Sequence, residues 1–297
     1  MRSLKMRKIK VSVVKKEIEK LCAKANLDLR PDVLKALRRA LKNETNRRAK
    51  EILLAIINNA QLARKNRLAI CQDTGLPVVF LEIGQKVNIV NGNLLPAIQE
   101  AVASGYKKAS LRNSIIIDPI KRGSPKFSPA VVHTEIIAGD KIKISLLPKG
   151  FGCENKSQLK MFLPTVSLTE IKKFIIEAVK KAGPDACPPF VVGIGIGGTA
   201  DYAAFLAQKA FLKNIVPASP AGRHHPSSPP RRQAGIVHGL EKELLSGINR
   251  LKIGPMGLGG KTTCLGVNIE TYPTHIAGLP VAVNISCHAL RSASKII

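Results

Sequence analysis

The sequence predicts an α/β protein: a helical N-terminal part, then mixed β-sheets with flanking helices, in one two-lobed domain over residues 1–297. Three observations carry that prediction. Apolar residues recur at three- and four-residue spacing as far as residue 66. From residue 67 the apolar runs shorten to strand length and lie between turns rich in Gly and Pro. Helical spacing then returns in LTEIKKFIIEAVKKAG, between predicted strands.

In chain order, VVKKEIEKLCAKAN, PDVLKALRRALKN and RAKEILLAIINNAQLARKN read as helices, with Pro31 in a first turn, where proline is tolerated. Cys22 lies inside the first of them and reads as a packed core thiol. LAICQDTGLPVVFLEIG reads as strand, loop, strand, and NSIIIDPI continues the extended pattern. In AVVHTEIIAGDKIKISLLPKG, AGDK reads as a hairpin turn between two strands. The helix at LTEIKKFIIEAVKKAG takes Ser167 or Thr169 as cap and Gly183 as stop. PPFVVGIGIGGTADYAAFLAQKAFL reads as strand, Gly loop, helix. Residues 217–236 break all periodicity and read as a disordered or loop insert, with His224 and His225 as solvated loop residues. EKELLSGINRL is a short helix, and VAVNISC a strand.

The hydrophobic fraction of 45% is ordinary for a globular chain. No uninterrupted apolar run reaches the roughly 18 residues of a membrane span. The basic start MRSLKMRKIK is not followed by an apolar segment, so it does not read as a secretory signal, and a cytoplasmic location is expected. The net charge of +27 fits a polyanion partner or an acidic docking partner. Aromatics make up only 4%, and no RNA-stacking signature is present, so nucleic acid is not the expected partner.

Two Gly motifs invite a nucleotide reading. Gly193, Gly195 and Gly198 spell G-x-G-x-x-G after an apolar strand, but no carboxylate follows in LKNIVPAS, where a ribose would need one. In GPMGLGGKTT the phosphate-loop frame fails because position 255 is Pro. Exposed amides in such a loop still suit a carboxylate or phosphate.

Six cysteines occur, at 22, 71, 153, 187, 264 and 287, and none forms a C-x-x-C pair. Any metal site must therefore gather cysteines distant in sequence. Cys71, Cys187 and Cys287 each stand at a predicted strand–loop junction, where a scaffold can aim side chains into a cleft. Three thiolates fit a cubane whose fourth iron has no protein ligand, although scattered cysteines are more often core residues.

The blocks ICQDTGLPVVFLEIG, LRNSIIIDPI, PAVVHTEIIAGDKIKISLLPKGFGCENKS, CPPFVVGIGIGGTAD and GPMGLGGKTTCLGVNIETYPTHIAGLPVAVNISCH resemble class I fumarate hydratase alpha subunits and the related tartrate dehydratase subunits, in family order from about residue 10 onward. The resemblance implies a hydro-lyase that adds water to, or removes it from, a small dicarboxylate. Fumarate and malate come first, with L-tartrate as the alternative. It implies that Cys71, Cys187 and Cys287 hold a [4Fe–4S] cluster. It implies that Gln72, Arg112 and Gly152 contact substrate, and that Asp73 and His275 serve catalysis. It also implies a beta subunit that completes the site, in an α2β2 assembly. Residues 1–66 would form the helical part and 67–297 the part that binds cluster and substrate. The rival readings are a basic nucleic-acid-binding iron–sulfur protein and a nicotinamide-dependent dehydrogenase. Neither accounts for CQDTG or YPTHIAG.

The chain departs from the family pattern at KRGSPKFSPAVVH, where relatives read something like NTGDNTPAVIH, so that the loop loses its Asn/Asp/Thr chemistry and gains positive charge. It also departs at Cys153 and Cys264, which read as bystanders, Cys153 being the nearer to a ligand role, and at 217–236, whose composition resembles a shifted reading frame.

Overall fold

A computed structural model describes residues 6–215 and 231–297, with only the backbone at 231–234. The chain is mixed α/β, as its patterning requires, and divides into two compact units. Unit 1 is built from residues 1–30, 62–151 and 291–297, and unit 2 from residues 31–61 and 152–290. Among the described residues no helix is long and apolar enough to cross a membrane.

Unit 1 opens with β1 (Arg7–Lys10) and α1 (Val11–Leu27). After α2 (Pro31–Asn43) and α3 (Arg47–Asn66) come β2 (Leu76–Gly84), β3 (Val87–Val90), α4 (Leu94–Lys108), β4 (Val131–Ile137) and β5 (Ile142–Lys149). Its main sheet has the order β10-β5-β2-β4, where β10 is Ala293–Ile296, and β1 pairs with β3 as a separate parallel ribbon. Val14, Ile18 and Leu21 of α1, Ile98 and Val102 of α4, and Val79, Leu81, Ile144 and Leu146 of the sheet form one core. α1 and α4 approach closely at Gly105, where an added Cβ would lie 2.9 Å from that of Cys22. Cys22 is thus the packed core thiol its helix predicted.

Three expectations fail in unit 1. NSIIIDPI forms no strand: within residues 113–120 only Ile115 and Asp118 make isolated bridges, to Lys126 and Arg122. Residues 68–70 form no strand, because the Ile70 amide donates to the Asn26 carbonyl at 3.0 Å and not to a sheet. AGDK is not a hairpin turn. β2 lies between β4 and β5, parallel to the first and antiparallel to the second. The connection therefore wraps the end of β2, where the Gly84, Gln85 and Lys86 amides donate to the Lys141, Ile137 and Gly139 carbonyls.

Unit 2 holds α5 (Phe151–Glu154) in all but its first residue, then β6 (Gln158–Phe162), α6 (Leu168–Ala182), β7 (Phe190–Gly198), α7 (Ala200–Lys209), α8 (Arg231–Asn249), β8 (Cys264–Thr274) and β9 (Leu279–Ser286). The sheet order is β6-β9-β7-β8, with β7 parallel to β8 and antiparallel to β9. Ile175 and Val179 of α6, Leu244 and Ile248 of α8, and Val192, Ile194, Val283 and Ile285 of the sheet share a core. α6 is closed by the predicted signals: Ser167 and Glu170 form a reciprocal capping box, and Gly183 ends the helix at φ 57°.

The G-x-G-x-x-G run is strand and not loop. A Cβ on Gly193 would come 2.2 Å from the Ala207 carbonyl oxygen, and one on Gly195 2.0 Å from that of Ala203. Those glycines let α7 lie directly on β7, which is a packing role. Of the expected insert, residues 217–230 lie outside the described residues, while 231–236 begin α8 and are helical.

Candidate functional site

The predicted residues fall into three groups. The first, in unit 1, is the CQDTG loop. Asp73 shapes it with both carboxylate oxygens: Oδ1 accepts the Gly75 amide and Oδ2 the Phe151 amide, each at 2.9 Å. The buried Thr74 hydroxyl accepts the Arg112 amide at 3.0 Å and donates to the Arg112 carbonyl at 3.3 Å. The Tyr106 hydroxyl donates to the Thr74 carbonyl at 3.1 Å. Gly75 takes φ +75°, and a Cβ there would meet the Lys149 backbone at 2.8 Å. Cys71, Gln72, Asp73 and Arg112 are thereby brought together, although Arg112 lies far along the chain. Gln72 and Arg112 are exposed, and the Cys71 thiol lies 3.4 Å from Gln72 Oε1. Behind the loop, Arg291 is 3% exposed and donates to Asn26 Oδ1 at 3.2 Å.

The second group stands at one end of the unit 2 sheet. Cys187 follows the 3-10 turn Pro184–Ala186 and takes the left-handed conformation, φ 53°. Non-Gly residues pay for that region and tend to hold it at functional positions. Cys287 follows the last residue of β9. The two are linked through the backbone: the Cys187 carbonyl accepts the His288 amide at 3.3 Å and His288 Nδ1–H at 3.0 Å. The GPMGLGG loop supports this end. The Met256 amide donates to the Pro188 carbonyl at 2.8 Å, and a Cβ on Gly257 would come 2.4 Å from Pro184 Cβ. The same loop holds a carboxylate of its own. Glu44, 2% exposed, accepts the amides of Thr45, Asn46 and Lys261. Burial pushes the Glu44 carboxyl up, but those amides outweigh it and hold it below its ordinary value.

Gly152 adjoins the turn before Cys187, and a Cβ on it would lie 3.7 Å from the Asp185 carbonyl oxygen. The neighbouring Cys153 thiol donates to the Ala186 carbonyl at 3.3 Å. Glu154, in the same short helix, was missed by sequence reasoning, which singled out Gly152 and Cys153 in GFGCEN. The Asn284 amide reaches its carboxylate at 3.1 Å and that of Gln208 at 3.3 Å.

The third group is His275 alone. It is exposed in the turn between β8 and β9, where it accepts the Ala277 amide on Nδ1 at 3.2 Å. Thr274, beside it, pairs with Gly198, the last residue of β7, whereas Cys187 precedes the first. The strand between them spans roughly 26 Å at about 3.3 Å per residue. The structure therefore separates His275 from the two cysteines of its own unit.

The six cysteines differ in chemistry. No disulfide joins any of them. Burial pushes the Cys22 and Cys264 thiols up to about 12, so both stay protonated, the form that does not bind metal. Cys71, Cys187 and Cys287 are all partly exposed. Three sulfur donors on strand-end loops, outside any disulfide, suit an iron–sulfur cluster, and the protonated core thiols do not. Among the described residues no three His, Cys, Asp or Glu side chains gather about a single metal ion. A cavity of about 770 Å³ between α2, α8 and β8 is lined by none of the predicted site residues.

Comparison with known proteins gives the family. The family described as fumarate hydratase (fumerase) matches residues 15–295. A protein of Methanocaldococcus jannaschii named "Putative L(+)-tartrate dehydratase subunit alpha" is 41% identical over 288 residues, covering 94% of this chain and 95% of its own. The "L(+)-tartrate dehydratase subunit alpha" of Escherichia coli is 32% identical over 270 residues, covering 90% of this chain and 84% of its own. That of Shigella sonnei is also 32% identical over 270 residues, with the same coverage. With a family match over nearly its whole length and relatives above 30% identity across most of it, the chain belongs to the fumarate hydratase (fumerase) family, among the class I fumarate hydratase and tartrate dehydratase alpha subunits.

Proposed function

We propose that this chain is the alpha subunit of a hydro-lyase that removes water from L(+)-tartrate, working with a beta subunit. The sequence alone favoured fumarate and malate. The names of relatives that align end to end with this chain favour tartrate. The observation that carries the site is the backbone link between Cys187 and Cys287 at one end of a sheet.

Cys71, Cys187 and Cys287 would hold a [4Fe–4S] cluster. When bound, the cluster supplies an open iron as a Lewis acid for a substrate hydroxyl. The chain's own residues bind and orient the substrate. Arg112 offers a planar fork of donors to one substrate carboxylate, and Gln72 an amide to its neighbour. Dehydrating tartrate takes a proton from one hydroxyl-bearing carbon and hydroxide from the next, leaving an enol that becomes a keto diacid. Asp73 already accepts two backbone amides, which suits it to shaping the loop more than to taking that proton. His275 stands too far along its own strands to share a site with its own Cys187, so it serves only from another chain of the assembly. The remaining acid–base groups fall to the beta subunit.

Anaerobic co-expression with the cognate beta subunit, iron and sulfide loading, and assay on L(+)-tartrate, malate and fumarate test this. The expected result is turnover of tartrate above the other two, with little activity from this chain alone. Preference for malate or fumarate would restore the first reading of the sequence. No turnover of any hydroxy diacid would overturn the assignment.

A further inference from the structure

Glu154 is a carboxylate that the scheme above leaves unused. It is half-buried in unit 2, with Asn284 Nδ2 at 3.1 and 3.4 Å from its two oxygens and Gln208 Nε2 at 3.3 Å. Asn284 belongs to β9, opposite Gly193 of the central strand β7, three residues before Cys287. It is 5% exposed, and its Oδ1 is among the few buried side-chain polar atoms that lack a partner within the described residues. A buried amide half satisfied on a sheet position costs stability that an apolar residue would avoid. Its satisfied half is spent wholly on Glu154.

What Glu154 holds is the turn bearing Gly152. That turn rests on the segment leading to Cys187 through Cys153 Sγ–H to the Ala186 carbonyl at 3.3 Å and Lys156 to Asp185 at 3.2 Å. Phe151, which precedes Gly152 and belongs to unit 1, donates its amide to Asp73. A helical turn of four residues has little stability of its own, since helices this short do not nucleate alone. A carboxylate gripping two amides from β9 and α7 supplies the missing restraint.

We infer that Glu154 is a positioning residue: through Asn284 and Gln208 it sets the backbone of Gly152 where a substrate carboxylate meets it. The inference rests on the dicarboxylate reading of the site for its consequence in turnover, and on the geometry alone for its consequence in order.

The test uses the full chain with its beta subunit, in E154A, E154Q and the exchange variant E154Q/N284D, which returns an amide–carboxylate pair with its ends reversed. Hydrogen exchange of amides 152–156 should quicken at least tenfold in E154A, less in E154Q, and slow again in E154Q/N284D, with the rest of unit 2 unchanged. KM for L(+)-tartrate should rise about tenfold in E154A while kcat changes less than threefold, and the exchange variant should recover it. Unaltered exchange and KM in E154A would overturn the inference. So would faster exchange spread evenly over unit 2, which would make Glu154 a support of the whole fold. If the wild-type complex turns over no hydroxy diacid, the dicarboxylate reading fails on that result, and local exchange reversed by E154Q/N284D still decides the positioning role.

Discussion

The two ends of the unit 2 sheet are built differently. At one end, Cys187 and Cys287 leave adjacent strands and are drawn together by two hydrogen bonds from His288 to one carbonyl. A Gly-rich loop braces them. At the other end, His275 sits exposed on a turn stitched by its own atoms: its Nδ1 takes the Ala277 amide, and Thr274 Oγ1 donates to the Gly278 carbonyl at 2.9 Å. One end fixes the spacing of two cysteines through a shared carbonyl. The other presents a single side chain outward, in the manner of a group offered to a neighbour. Residues of one family signature thus stand at opposite ends of one sheet.

The sharpest way to break this comparison is at the cysteines. Cys187→Ser or Cys287→Ser should abolish iron binding and visible absorbance after anaerobic loading, whereas Cys264→Ala should keep both and cost only about 1–2 kcal/mol of stability from the small cavity. Full cluster content in the first two variants would dissolve the distinction between the ends. His275→Ala should lower kcat by about 100-fold, the usual yield of a positioned acid or base. Mixed assemblies of H275A chains with C187S chains should regain about a quarter of wild-type activity, since half the pairs would carry one intact site. Failure to regain any would tie His275 to its own chain. Arg112→Ala should weaken tartrate binding by about 10–100-fold, corresponding to roughly 1.5–3 kcal/mol, with kcat less affected.

The smallest effect tests the brace. Glu44→Gln should destabilise unit 2 by about 1–3 kcal/mol, because three backbone amides lose a charged acceptor. The Glu44 carboxyl is held below its unfolded value of 4.5, so its contribution is complete above that pH and fades as pH falls through the folded value. Thermal melts from pH 7 to pH 3 should therefore show wild type and E44Q converging below pH 4.5.

Local signals in the sequence were legible where short-range chemistry decides the outcome. α2 begins at Pro31 and ends at Asn43, as its pattern indicates, and Ser167, Glu170 and Gly183 close α6 with the bonds their residue types predict. Long-range chemistry hid the rest. AGDK has hairpin composition, yet β2, read some fifty residues earlier, inserts between its flanking strands. Gly193 and Gly195 look like part of a dinucleotide fingerprint because close packing of α7 demands the same missing side chains. Arg112 joins the CQDTG loop through a backbone bond to Thr74 that no motif encodes. Glu154 stood one residue outside the feature that drew attention, and only Asn284 and Gln208 reveal its part.

The pairing of β10 with β5 governs the order in which the protein can be made. Residues 62–151 leave the ribosome early, but the sheet they belong to takes its edge strand from residues 293–296, and Arg291 behind the CQDTG loop comes equally late. Unit 2 is synthesised in between and can condense first, as compact units generally do. The loop bearing Cys71 therefore gains its finished scaffold only after unit 2 has been synthesised. A nascent chain halted before β10 would carry Cys187 and Cys287 on a unit able to condense, and Cys71 on a unit whose sheet still lacked its edge strand.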